Sequence, residues 1–303
     1  MKTYWLTPHV DRAYSANSND KSDDDEDVLT IDFAGKLADE LLKREREIEW
    51  VSELMRDSIR EIIAHRETTK GKGANKFAEP LPSHRSKNRT PLDEVVVVDT
   101  IKMPEFNAKA ADVKAQSYII KIPENVSRLI REYVSIISAA YRRNAFHNFE
   151  HACHVTMCVS KFLKRIVSPE LTDGELSRLR DNKKLASHLH NYTHGINSDP
   201  ITLFAILFSA IIHDVDHPGV SNTQFASEHP MIGERYRNKS VAEQNSLDVA
   251  WDVLLDSHFR EMREYIFETN DELIRFRQVV VNVDGAAPFR NSHPPTRTML
   301  APR

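Results

Sequence analysis

The chain has 303 residues, of which 40% are hydrophobic and 28% charged, with a net charge of -4. That length holds one large domain or two small ones, eight glycines argue against a β-rich or glycine-loop architecture, and the mild acidity gives a nucleic-acid partner no footing. Two cysteines, Cys153 and Cys158, sit on one predicted helix and cannot staple a secreted scaffold, so a reducing, cytoplasmic setting is expected.

The chain opens on Met-Lys-Thr-Tyr-Trp-Leu, a short β-like run, with no signal-peptide pattern. Residues 7–27 turn polar and end in Asp23-Asp24-Asp25-Glu26-Asp27, read as solvated linker, so residues 1–30 form a strand remnant and an acidic linker. Over residues 31–66, Leu37, Leu41, Ile48, Val51, Met55, Ile59 and Ile62 recur at spacings that predict an amphipathic helix. Such a helix either packs on its own domain or pairs with a second copy as a coiled coil, giving a homodimer. Residues 67–92 are basic and aperiodic, a second linker.

From residue 93 the pattern becomes globular. Helices are predicted over residues 126–140, 148–167, 199–212, 241–255 and 261–282, punctuated by Pro123, Pro169, Pro200, Pro218 and Pro230. No alternation is long enough for a sheet, so the fold class is all-α. The longest apolar run, residues 201–212, is too short to span a bilayer; the fragment is expected to be soluble, which leaves a membrane-anchored parent open. At residue 284 the helical period stops in mid-pattern, and residues 284–303 read as an irregular tail from a frame change, a retained intron or an artificial end.

Two segments carry chemistry. In Phe146-His147-Asn148-Phe149-Glu150-His151-Ala152, His147 and His151 are four apart and would project from one face if both lie at a helix start. In Ile212-His213-Asp214-Val215-Asp216-His217-Pro218-Gly219, closing at Asn222, a His-Asp couple ends a buried apolar run. A carboxylate there is costly unless paired or metal-bound. The bland reading is a capping pair at a helix end; two segments of this kind together favour neighbouring divalent cations. Elsewhere the bland readings win. Ser240-Val241-Ala242-Glu243 reads as a capping box, His154 as a packing or outer residue, His188, His190 and His194 as a surface loop cluster, and both cysteines as packing.

Those strings, with Ser-Val-Ala-Glu-Gln-Asn from Ser240, resemble the class I 3',5'-cyclic-nucleotide phosphodiesterase family over residues 93–283. The resemblance implies a compact helical bundle of the HD type, C-terminally incomplete, acting on cAMP and/or cGMP. It implies His147 as general acid, and His151, His213 and Asp214 as ligands of a zinc ion. Asp214 would bridge to magnesium or manganese, and His217 and Glu243 would hold metal-bound waters. Asn222 would order the motif, and His147, His151 and Asp214 would also face the nucleotide. On this basis Glu243 passes from cap to site residue, and His154 stands where many relatives have Asp. A further metal-binding Asp, a base-gripping Gln and an aromatic clamp have no match here. The opening six residues resemble the last strand of class III nucleotide cyclases, which implies a cyclase–phosphodiesterase parent. Two alternatives remain: an inactive metal-binding or dimerising fragment of such a fusion, and an HD-type phosphohydrolase of non-cyclic nucleotides.

Overall fold

Residues 23–69, 101–108, 117–166 and 182–283 are described by the computed structural model. The opening strand-like run, most of the basic linker and the 284–303 tail lie outside them. Every regular element among the described residues is helical. The chain divides into two units, residues 1–45 and 46–303.

Helix α1 runs Asp23–Thr69. It starts at the acidic block expected to be linker, because carboxylates in a first turn complement the positive end of the helix dipole. In the first unit, Leu37, Leu41 and Leu42 are exposed.

In the second unit, Ile48, Val51, Met55, Ile59 and Ile62 are all buried in the main core. Each such side chain contributes roughly 1.5–3 kcal/mol of apolar burial. Over this half the apolar stripe therefore packs on its own domain. Arg66 fastens the helix end: it donates to the carbonyls of Tyr265 (2.9 Å) and Ile266 and pairs with Glu272 at 2.7 Å.

Among the described residues, the further α-helices of the second unit are α2 (Glu124–Ala140), α3 (Phe149–Lys164), α4 (Asn182–Tyr192), α5 (Pro200–Ile212), α6 (Asn222–Glu228), α7 (Pro230–Arg235), α8 (Val241–Leu255), α9 (Arg260–Ile266) and α10 (Asn270–Val283). Helix α5 is apolar all round and is packed between α3 and α10, as expected for a helix without a solvent face. Asp199 caps it, accepting from Thr202 N–H, and is paired with Arg275 of α10 at 2.9 Å. Phe276 of α10 gathers the core aromatics, with ring centroids 5.0 Å from Phe267, 5.2 Å from Phe208 and 5.6 Å from Phe204.

Three further expectations change. The helix predicted over 261–282 is two, α9 and α10, broken at 267–269. Thr269 and Glu272 form a reciprocal capping box: Glu272 N–H donates to Thr269 Oγ1 (3.2 Å) and Thr269 N–H to Glu272 Oε2 (3.3 Å). His188 and His190 stand on helix α4 rather than a loop. Ser240 occupies the N-cap position of α8 without capping it: its backbone is left-handed, with φ 41°, and its side chain makes no cap hydrogen bond.

Candidate metal centre

The first motif straddles the start of α3. Asn148 is the N-cap, its side chain accepting from His151 N–H at 3.0 Å. The cap fixes His151 on the first turn and leaves His147 on the preceding irregular segment. The second motif is the turn that ends α5. Val215 is sunk in the core, and its N–H bonds Ile212 O at 3.0 Å. This anchor holds Asp214 inside the fold, 8% exposed.

The packing of α3 on α5 brings the motifs together. Asp214 Oδ2 lies 2.8 Å from His147 Nδ1, 3.1 Å from His213 Nε2 and 3.9 Å from His151 Nε2. Burial opposes ionisation of Asp214, but the hydrogen bonds and charges of His213 and His147 outweigh it, holding the carboxyl well below its usual range. Burial, and then the charge of His213, lowers the pKa of His151.

One set of potential metal-ligand atoms, from His151, His213 and Asp214, lies within 4.8 Å of one another. Hydrogen bonding supports the fit of a cation. His213 Nδ1 is 3.0 Å from the Ala210 carbonyl, an acceptor only, so that nitrogen carries a proton. In a neutral ring Nε2 then turns a lone pair toward the Asp214 carboxylate. That juxtaposition is relieved either by a proton on Nε2, as in the imidazolium that lowers the Asp214 pKa, or by a cation between the two groups. A histidine that donates its other N–H to a backbone carbonyl is also the usual posture of a zinc ligand.

His147, Asp214 and His217 form a second close set. Here His217 Nδ1 accepts from Gly219 N–H at 3.0 Å. The neutral ring therefore bears its proton on Nε2, as a donor to water or substrate and not as a ligand. The His147 and His217 rings stack at 3.8 Å. Burial and His147 lower the His217 pKa, against the opposing influence of Asp214 and Glu243.

Asn222 links Glu243 to the site wall. Its Nδ2 donates to Glu243 Oε2 (3.0 Å), and its Oδ1 accepts from Ala242 N–H (2.7 Å). Asn222 thus caps α8 from 20 residues upstream, in place of Ser240. His154 is exposed and belongs to neither close set. His190 is taken up by Ser198 Oγ at 2.5 Å and by the Phe106 ring. Cys153 is buried and Cys158 exposed. Phe146, 62% exposed, lies over the His151 ring with centroids 4.4 Å apart. Asn144, Arg142 and Asp216 also enter the site's hydrogen bonding. Asp216 was visible inside the second motif; Asn144 and Arg142 precede the first without any periodic or motif signal.

Among the described residues the domain is helical, and its buried His-Asp couple faces a second histidine motif in an arrangement that could hold a metal ion. Residues 146–283 match the family model described as 3'5'-cyclic nucleotide phosphodiesterase. Similar curated proteins include the cGMP-specific 3',5'-cGMP phosphodiesterase 3 of Dictyostelium discoideum, 30% identical over 41% of this chain and 21% of that protein. The probable 3',5'-cyclic-AMP phosphodiesterase pde-4 of Caenorhabditis elegans is 26% identical over 50% of this chain and 18% of its own length. The human dual specificity calcium/calmodulin-dependent 3',5'-cyclic nucleotide phosphodiesterase 1C is 29% identical over 54% of this chain and 19% of its own length. The matched region thus spans about a fifth of these relatives. No solved structure matches significantly. No helix among the described residues is long and apolar enough to cross a membrane.

Proposed function

We propose that this chain carries the metal-binding part of an enzyme that hydrolyses 3',5'-cyclic nucleotides, cAMP or cGMP, to nucleoside 5'-monophosphates. The observation that carries the proposal is the buried Asp214 carboxylate facing three imidazoles, one of which is oriented through the Ala210 carbonyl. His151, His213 and Asp214 would hold zinc, and Asp214 would share a second cation, magnesium or manganese. When bound, the cations lower the pKa of water and offset charge on the phosphoryl oxygens.

The protein residues then divide the remaining work. His147 keeps Nδ1 on Asp214, which leaves Nε2 to face the substrate. As the P–O3' bond breaks, the imidazolium proton passes to the departing 3'-oxygen and water supplies the new P–O bond. His217 donates from Nε2, and Glu243, held by Asn222, accepts; together they would orient water around the cations. The nucleotide would lie against His147, His151 and Asp214.

We further propose a cytoplasmic setting, in keeping with the two free thiols, and pairing of two copies through the helix, with the exposed Leu37, Leu41 and Leu42 as the contact. Sedimentation of the chain and of a Leu41→Asp variant tests the pairing; identical monomeric behaviour of both removes it.

The activity is tested by incubating the purified chain with cAMP and cGMP plus Zn²⁺ and Mg²⁺, and measuring release of the 5'-monophosphate. Turnover that disappears in His147→Ala supports the assignment. Stoichiometric zinc with no turnover would favour a metal-binding segment without catalysis. Absence of both would remove the metal-centre reading.

A further inference from the structure

We infer that Asn144 is a positioning residue that sets the separation between His147 and the His213–Asp214 couple. The inference rests on reading the site as a metal centre. The segment that carries His147, residues 141–148, has no helix of its own. It is tied instead, in parallel, to the turn that carries the second motif. Tyr141 Oη donates to Ile211 O at 2.8 Å. Asp216 N–H donates to Ala140 O at 3.1 Å. The Asp216 carboxylate accepts from Arg142 Nε at 2.6 Å and from Asn245 Nδ2 of α8 at 3.0 Å. Asp216 is held at φ 60°, a conformation a non-glycine residue keeps only where its surroundings impose it.

Asn144 is the tie that reaches both histidine motifs. Its Nδ2 donates to His147 O at 2.8 Å and to His217 O at 3.2 Å. Its Oδ1 accepts from Phe146 N–H at 3.1 Å, and its backbone carbonyl accepts from Asn148, the cap of α3, at 3.1 Å. Gly219, at φ 81°, packs beside it: a Cβ there would be in ordinary contact with Asn144 Cβ at 3.5 Å. Both amide hydrogens and the amide oxygen are thus engaged in holding two backbone segments at one distance. That distance is the one across which His147 Nδ1 reaches Asp214. Asn144 touches no group proposed to react, so it acts through the histidines it places.

The test uses the whole chain, metal-free, titrated with Co²⁺ and followed by the visible absorption of the bound ion. The imidazole tautomers are read by ¹⁵N NMR. Asn144→Asp is the informative variant: it keeps the size and an acceptor for Phe146 N–H but removes both donors. We expect an unchanged helical circular dichroism spectrum, Co²⁺ affinity reduced roughly 10–100-fold, and loss of the single Nδ1–H tautomer of His147. A merely structural asparagine would lower the melting temperature and leave the tautomer of the folded chain intact. Asp216→Asn tests the other arm, should Asn144→Asp not fold, and is expected to shift the same two signals in the same direction. His151→Ala separates the two readings. If it abolishes Co²⁺ binding while Asn144→Asp binds like wild type with His147 unaltered, the clasp is overturned and the metal centre stands. If the wild-type chain takes no Co²⁺, the metal-centre reading fails and the inference falls with it.

Discussion

Replacing Asn222 by alanine should cost more stability than any change at Ser240, although Ser240 occupies the N-cap position of α8. Asn222 Oδ1 receives Ala242 N–H at 2.7 Å, a cap hydrogen bond made from a distance; such caps are worth about 1 kcal/mol. Its Nδ2 also donates to the Glu243 carboxylate at 3.0 Å, and a hydrogen bond to a charged group contributes about 1.5–3 kcal/mol. Together these predict a loss of about 2–4 kcal/mol for Asn222→Ala, a large share of the roughly 5–15 kcal/mol that keeps a domain folded. Ser240→Gly should be neutral or slightly stabilising, because the serine makes no cap bond and its φ of 41° suits glycine. Urea unfolding of the two variants, followed by circular dichroism at 222 nm, measures both. If Ser240→Gly proves the more damaging change, the remote cap is wrong and the local capping box is restored. The function should follow the same order, since Asn222→Ala also removes the amide that donates to the Glu243 carboxylate in the site wall.

Three further outcomes are expected. Asp214→Ala should weaken zinc binding by more than the roughly 10–100-fold that loss of an outer partner costs; equilibrium dialysis decides, and retained stoichiometric zinc would count against the ligand set. Asp248, buried and hydrogen-bonded by Tyr236 and Arg235, has its pKa raised by burial from 3.8 to about 6. Between those values the folded chain holds a proton that the unfolded chain has lost, so stability falls as pH rises from about 4 to about 6, by about 3 kcal/mol for this group. Asp248→Asn should erase that component, and a wild-type-to-variant stability difference that stays constant between pH 4 and pH 7 would refute it. Finally, Gly219→Ala should cost about 1–2 kcal/mol for a left-handed alanine, whereas Gly195→Ala should cost more, because its Cβ would also fall 2.9 Å from Met103 Cβ; comparison of melting temperatures checks the order.

Much of this molecule was legible one residue type at a time. The apolar run before His213 announces a buried helix, and Pro200 after Asp199 marks where it starts. An acid at the end of such a run must find a partner, whatever the fold, because desolvation of a lone carboxylate is prohibitive. The motif strings therefore pointed to a cation site from chemistry that is local. The residual errors are also local in origin. The apolar period of residues 261–282 runs straight through Phe267, and the break appears only when Thr269 and Glu272 are read as a reciprocal pair. Ser240-Val241-Ala242-Glu243 has the letters of a capping box, but its serine cannot cap from a left-handed backbone.

What needed three dimensions was every relation between distant segments. The approach of His147 and His151 to Asp214 depends on α3 lying along α5, a packing spread over many apolar contacts that no short string encodes. Glu243 takes its partner from residue 222, Arg142 takes its own from residue 216, and Asn144 spans two backbone carbonyls whose residues lie 70 apart in the chain. The stripe of α1 could equally have paired with a second copy or turned inward; for residues 48–62 the choice fell to the core. A sequence states which groups must be satisfied, since that follows from their own hydration and charge. It does not state by whom, since partners are chosen by the packing of the whole chain.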